Sequence, residues 1–285
     1  MRSYRYLALC AWKSALGRSR SCPSCGRPAG EVIDRKYLVT ALRRCRECLL
    51  LYRTPTTTAE ENARFYQSDY EESTTTDLPD AARLDQLKAE DFASLSTSYL
   101  GCIEVIRGFG ARAGQSVMDF GCSWGYGSHQ LKQAGFEVQS FEISQPRADY
   151  ARQHLAVETL ALDAIPSAAY DVFLSCHVIE HVPSVEEMFM LGERALKPGG
   201  LFVAFTPNGS MERRRRDPEG WHRNWGGVHP QMIDDQFLMH AGSRRTFVAA
   251  SNPYPLEALG VWNGSQTVYS MEGDELMLAF RKPLI

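Results

Sequence analysis

The run Val117-Met118-Asp119-Phe120-Gly121-Cys122-Ser123-Trp124-Gly125-Tyr126-Gly127 takes an apolar strand directly into a glycine-studded turn that opens a helix. Gly121 and Gly125 carry no Cβ, so the backbone can turn tightly and let a ligand come within contact distance of the main chain. Such a turn points to a nucleoside-bearing cofactor. Asp119 at the strand end narrows the choice, because a pyrophosphate prefers helix amides with no anion beside them, whereas a sulfonium cofactor with an amino acid tail accepts that charge. A second strand, Glu137 to Glu142, ends in an acid placed to accept hydrogen bonds from two ribose hydroxyls, 21 residues beyond Gly121.

Further motifs follow in order: Leu162-Asp163-Ala164, then Tyr170-Asp171-Val-Phe-Leu-Ser-Cys-His177-Val-Ile-Glu180-His181, then Leu196-Lys-Pro-Gly-Gly-Leu-Phe-Val-Ala-Phe-Thr-Pro-Asn208. With the glycine turn and Glu142, this set resembles class I S-adenosylmethionine-dependent methyltransferases over roughly residues 106 to 285. Ser123 stands where that family has the middle glycine of its first motif. The resemblance implies that Glu142 holds the ribose hydroxyls, and that Asp163 and the amide of Ala164 read the adenine edge. It also implies that the turn Gly121-Cys122-Ser123-Trp124-Gly125 passes the methionine moiety, that Asp119 orients its polar end, and that His177 lines the cofactor or substrate pocket.

The coarse secondary structure alternates: strand 116–120, helix 127–135, strand 137–142, helix 145–154, strand 157–160, strand 170–176, helix 184–196 and strand 200–206. Such alternation predicts an α/β, Rossmann-like doubly wound sheet that is mostly parallel, with helices on both faces. Ligands of such sheets bind beyond the carboxyl ends of the strands. Asp119, Glu142, Asp163, His177 and Asn208 all fall there. The late apolar stretches 245–250 and 275–281 supply the last two strands, which the family pairs antiparallel.

Cysteine usage describes a second unit. Four of the eight cysteines form the pairs Cys22-Pro-Ser-Cys25 and Cys45-Arg-Glu-Cys48, with 19 residues between the inner two. That spacing reads as a structural Zn2+ site within a small zinc ribbon rather than a disulfide framework. Glu31 to Asp34 and Tyr37 to Val39 read as its strands, and Arg27, Arg43, Arg44 and Arg46 would offset the thiolate charge. The expected organisation is an N-terminal tail (1–20), the ribbon (21–55), a helical lead-in that caps the cofactor crevice (56–109) and the catalytic domain (110–285). Within the lead-in, 59–70 and 80–109 carry helical periodicity, Tyr66 and Tyr70 are candidates to touch substrate, and 71–77 is a polar loop.

At 285 residues and 44% hydrophobic, the chain can bury one α/β core with a small appendage. A formal charge of −3 gives no case for nucleic acid as the bulk partner. No apolar run reaches membrane-spanning length and no convincing secretory segment precedes the cysteines, so the expectation is a cytoplasmic chain without membrane contact.

Methyl transfer from a sulfonium is an in-line displacement, and a hydroxyl acceptor must also lose a proton. Histidine suits that task near neutral pH, and His177, His181, His222 and His229 are the candidates. His177 to His181 also spells H-x-x-E-H, a metalloprotease pattern, but it directly follows a strand and leads into Pro183. The segment 209–235, with Arg213 to Arg216, Trp221 and Trp225, reads either as a specificity loop for an anionic or glycosylated molecule or as a basic loop with packing indoles. The expected function is S-adenosylmethionine-dependent methylation of a small-molecule or saccharide acceptor at oxygen. The alternative is an RNA or protein methyltransferase that recognises its substrate through the ribbon. The residues do not fix the oligomeric state.

Overall fold

The computed structural model describes residues 2–15, 20–28, 30–69, 77–241 and 244–284; Tyr70 and most of the polar loop expected at 71–77 lie outside the described residues. In chain order the elements are α1 (Arg2–Ala15), β1 (Glu31–Lys36), β2 (Thr40–Arg44), β3 (Leu51–Thr54), α2 (Ala59–Arg64), α3 (Ala81–Ala89), α4 (Leu100–Gly108), β4 (Ser116–Phe120) and α5 (Tyr126–Gln133). The chain continues through β5 (Glu137–Phe141), α6 (Gln145–Leu155), β6 (Thr159–Leu160), β7 (Tyr170–Cys176), α7 (Val185–Ala195) and β8 (Leu196–Pro207). It ends with α8 (Met211–Arg216), α9 (Pro218–Asn224), β9 (Gln231–Met232), α10 (Asp235–Ala241), β10 (Val248–Ser251), α11 (Leu256–Gly260), β11 (Thr267–Val268) and β12 (Glu275–Arg281).

Among the described residues the larger sheet runs β11-β10-β12-β8-β7-β4-β5-β6. β4 pairs parallel with β5 on one side and with β7 on the other, so the strand order reverses at β4 and a crevice opens beyond its carboxyl end. β12 is inserted antiparallel to both β8 and β10, which matches the expected late pairing. The first of these two late strands, β10, begins at Val248 rather than Arg245. Arg245 instead leaves the sheet to bind Glu186 and Glu193 of α7. The central strands β7 and β8 carry the apolar runs Val172–Leu174 and Leu201–Phe205 because helices cover both faces.

One face carries a ladder of stacked rings, Phe141–Phe120–Phe173–Phe202–Phe280, crossing five neighbouring strands at centroid spacings of 4.7 to 5.3 Å. Phe189 of α7 meets Phe202 and Phe280 edge-on. α7 itself begins where Ser184 accepts the Glu187 amide with Glu186 and Glu187 in the first turn, and its Val185, Met188, Phe189, Gly192 and Ala195 all face the sheet. On the other face α4 and α5 pack with Phe92, Tyr99 and Trp124. The periodic segment 80–109 is not one helix. It breaks after α3, where Asp91 and Phe92 take positive φ and Phe92 turns into the core against Trp124.

The smaller sheet, β1-β2-β3-β9, departs from the sequence reading in two ways. Residues 37–39 form the turn between β1 and β2, with Tyr37 and Leu38 at positive φ, so the second ribbon strand is β2. The fourth strand, β9, comes from the segment after β8 and joins the cysteine module to the rest of the chain. Trp221 and Trp225 are fully buried between the two with Leu42, Leu51 and Met232. Their ring nitrogens donate to the Gly209 carbonyl and to Asp34. These indoles are therefore packing residues and offer no stacking face to a sugar. The N-terminal stretch expected as a tail is helical, and Tyr6 on α1 accepts a hydrogen bond from Arg53 of β3.

Candidate functional site

At the end of β4 the chain turns with Gly121 and Gly125 at φ +92° and +93°, a region that a Cβ disfavours. Ser123 lies between them, also left-handed at φ 51°. Two contacts hold it there. Its amide donates to Glu142 Oε2 at 2.8 Å, and its hydroxyl accepts from Arg147 Nη1 at 2.9 Å. The other carboxylate oxygen of Glu142 accepts the Ser144 amide at 2.8 Å. The Ile143 amide also acts on this carboxylate, and its four lone pairs outnumber the three amides, so the acid can still accept from a ribose hydroxyl. Burial pushes the Glu142 carboxyl upward, and the amides of Ser144 and Ser123 with the Arg147 charge oppose that push. These residues fit the nucleoside half of S-adenosylmethionine.

Asp119 behaves differently from the expectation. It is fully buried, and its two oxygens accept from Tyr99 Oη and Ser128 Oγ, so in this structure it anchors the turn and the cap rather than facing the crevice. Burial pushes its carboxyl up to about 7, with the Ser128 and Tyr99 hydrogen bonds pulling the other way. Tyr99 can lie so close only because position 127 is glycine: a Cβ there would sit 2.4 Å from the ring. Asp163 and Ala164 lie exposed on a short helical turn after β6. The Ala164 amide already donates to the Ala161 carbonyl, so of this pair the Asp163 carboxylate is the group left for the adenine edge.

Beyond β7 and β8 lies a cluster of imidazoles and carboxylates. His177, at φ 53°, is half-exposed between two acids, with Nε2 2.6 Å from Glu275 Oε2 and Nδ1 3.4 Å from Glu180 Oε1. Against the downward push of burial, these carboxylates raise the His177 imidazole well above its ordinary value. A protonated ring has no lone pair for a proton. His181 is pushed down by burial, which leaves it neutral near pH 7. Its Nδ1 donates to the Val228 carbonyl at 2.9 Å, and His229 Nδ1 donates to Asn224 at 2.7 Å, so each keeps Nε2 as an acceptor. The rings of His181 and His229 meet at 4.6 Å, and Tyr66 lies edge-on to His181 at 6.3 Å. Gln67 of the same lead-in segment donates to the Ile143 carbonyl, so this segment runs from the cluster to the residue after Glu142.

His222 is not brought to this cluster. Its Nδ1 is paired with Asp34 and its ring packs on Trp225, both at the smaller sheet. Asn208 is buried, with its amide nitrogen donating to the Met271 and Gly273 carbonyls. Sequence reasoning missed Tyr99, Ser128, Arg147 and Glu275. Arg147 stands five positions after Glu142 on the next helix and was within reach of a local reading; Glu275 lies 98 residues from His177 and carries no local signal.

The four thiols of Cys22, Cys25, Cys45 and Cys48 gather in one cluster. Cys22 and Cys48 sulfurs are 3.5 Å apart, as are those of Cys25 and Cys45. A tetrahedral zinc with bonds of about 2.3 Å separates its sulfurs by roughly 3.8 Å, so the residues fit that ion. Arg43 and Arg44, expected to balance the thiolates, are engaged with the Gly30 carbonyl and with Asp234.

Comparison with known proteins agrees with this geometry. The family profile described as "Methyltransferase domain" matches residues 97–247. A probable S-adenosylmethionine-dependent methyltransferase of Mycolicibacterium smegmatis is 32% identical over 101 residues, covering 34% of this chain and 39% of that protein. A ubiquinone biosynthesis O-methyltransferase of Paramagnetospirillum magneticum is 32% identical over 103 residues, covering 33% of this chain and 41% of the relative. The chain thus spans about two fifths of the length of these curated relatives. Among solved structures, the geranyl diphosphate C-methyltransferase of Streptomyces coelicolor superposes with a TM-score of 0.49 at 16% identity, over 78% of this chain and 97% of that one. By the extent of the profile match, the chain belongs to the methyltransferase-domain family.

Proposed function

We propose that the protein transfers a methyl group from S-adenosylmethionine to an oxygen of a small-molecule acceptor. The observation that carries this reading is the cradle at the switch point of the sheet, where Glu142 stands beside the Gly121–Gly125 turn, with the His181 imidazole beyond β7 and the His229 imidazole packed against it. Bound there, S-adenosylmethionine supplies an electrophilic methyl on a sulfonium.

The chain's own residues have modest tasks. Glu142 and Asp163 bind the nucleoside, the turn positions its amino acid end, and Tyr66 with the lead-in segment limits water. His181 Nε2, with His229 beside it, takes the acceptor's proton. His177 stays charged between Glu180 and Glu275 and is better suited to hold an anionic or carbonyl oxygen than to act as a base. Several relatives carry the name ubiquinone biosynthesis O-methyltransferase, which supports an oxygen acceptor on a small molecule. A saccharide acceptor loses its main support with the burial of Trp221 and Trp225. A polyanionic RNA partner is disfavoured for a similar reason: on the smaller sheet Arg43, Arg44 and Arg53 are already bound to Gly30, Asp234 and Tyr6.

The test is incubation of the protein with methyl-labelled S-adenosylmethionine and fractionated phenolic and hydroxylated metabolites, with mass analysis of the product. An O-methylated small molecule is expected, at a rate reduced about 100-fold or more in His181→Ala. Label transferred only to RNA or protein would overturn the reading.

A further inference from the structure

Glu180 is 1% exposed, and its two oxygens are treated unequally. Oε2 accepts from Thr206 Oγ1 at 3.0 Å, whereas Oε1 is buried without a hydrogen-bond partner. A charged oxygen left in this state is costly unless a positive group takes it. His177 Nδ1 approaches it only to 3.4 Å. The better hydrogen bond of His177 runs to Glu275 through the opposite nitrogen, at 2.6 Å.

Two imidazoles share the space in front of Glu180 Oε1. The Nδ1–H groups of His181 and His229 each donate to a backbone carbonyl, that of Val228 and that of Asn224. Such a bond fixes the tautomer and presents Nε2 as a lone pair, which is how histidines that ligate metal ions are held. His181 Nε2 lies 3.8 Å from Glu180 Oε1. One ligand atom from each of Glu180, His181 and His229 falls within 4.8 Å of the other two. Bonds of about 2.1 Å to a common ion need ligand atoms no more than roughly 4 Å apart, so a small side-chain adjustment closes the set.

We propose that Glu180, His181 and His229 form a second metal site, for a divalent transition ion of the class that two imidazoles and one carboxylate select, such as Zn2+, Co2+ or Fe2+, rather than for Mg2+ or Ca2+. It differs from the four-thiolate cluster in its donors: nitrogen and oxygen here, sulfur there. Three protein ligands leave at least one coordination position open, so the site is of the accessible rather than the closed kind. The lone pair of His181 that accepts a proton in the methyl-transfer reading is the one that would hold the ion. The two uses exclude one another at any one moment, so a bound ion occupies the lone pair that the metal-free chain uses as a base, and the metal site does not rest on the methyl-transfer reading.

The experiment uses the full chain with its thiolate cluster first saturated with zinc, then titrated with Co2+ and followed by calorimetry and visible absorption. One further equivalent of Co2+ is expected, with ligand-field bands and no thiolate-to-cobalt charge transfer. Affinity should fall about 100-fold or more in Glu180→Gln, which keeps the side-chain shape, and in His229→Ala, which lies on a loop. No further equivalent, thiolate charge transfer, or unchanged affinity in both variants would overturn the site. Circular dichroism on the same samples reports folding, and S-adenosylmethionine binding reports the cofactor reading separately. Cobalt bound without S-adenosylmethionine keeps the metal site and defeats the other reading, and the reverse result defeats the metal site alone.

Discussion

Ser123 shows how a single position departs from a motif without breaking it. A non-glycine residue in the left-handed region costs roughly 1 kcal/mol, and the Glu142 and Arg147 contacts offset that strain. Glu142 therefore shapes the turn in addition to the ribose-binding role proposed for it. Glu142→Ala should weaken S-adenosylmethionine binding about 10- to 100-fold by calorimetry, since charge-assisted hydrogen bonds are lost from both the cofactor and the loop. Asp119 gives a pH signature. Its folded value of about 7 lies above the ordinary 3.8, so between those values the native state holds a proton that the unfolded chain has released. The sign follows: this group's contribution to stability declines as pH rises through that window. Urea midpoints measured from pH 4 to pH 7 should decline less in Asp119→Asn than in the unaltered protein, and parallel profiles would count against the assignment.

The four-cysteine cluster, β3 and β9 form one mechanical unit. A ribbon of some 35 residues has too small a core to stand unaided, and structural zinc contributes on the order of 10 kcal/mol to such modules. Because β9 pairs with β3 and both indoles are buried beneath the small sheet, loss of metal should not stop at residue 55. Chelation is expected to speed amide exchange across 21–55 and also across 209–235, read by hydrogen-exchange mass spectrometry. Exchange confined to the ribbon would mean that the β9 pairing and the indole cluster hold without the metal. α7 illustrates the opposite case, since its cap, its apolar stripe and its Arg245 ion pairs all agree on one orientation.

Across the molecule, the reversal at β4 puts the turn, Glu142 and the imidazole cluster at one edge of the sheet, with the lead-in segment reaching from His181 to Ile143 over that edge. A ligand that binds only this assembled state stabilises it by mass action, by about 2.7 kcal/mol at a hundredfold excess over its dissociation constant. Thermal scans with saturating S-adenosylmethionine should therefore show a transition several degrees higher, and Glu142→Ala should lose most of that shift. The same scans on unaltered protein with no shift would argue against the cradle.

The amino-acid sequence by itself determined the alternation of strand and helix, the glycine turn, Glu142 after its strand, and the paired cysteines. These are local properties, set by periodicity and by which residues tolerate left-handed backbone. It could not distinguish a strand from a turn at 37–39, where the apolar residues Tyr37, Leu38 and Val39 imitate a strand. Nor could it say whether Trp221 and Trp225 face a ligand or a second sheet. Only the tertiary structure decided that, by bringing β9 against β3. It likewise sorted the histidines, pairing His177 with Glu275, sending His222 to Asp34, and gathering His181 and His229 beside Glu180. The physical reason is that protonation and ligation depend on burial and on neighbours far away in the chain, and those are fixed only when the strands carrying them pack together.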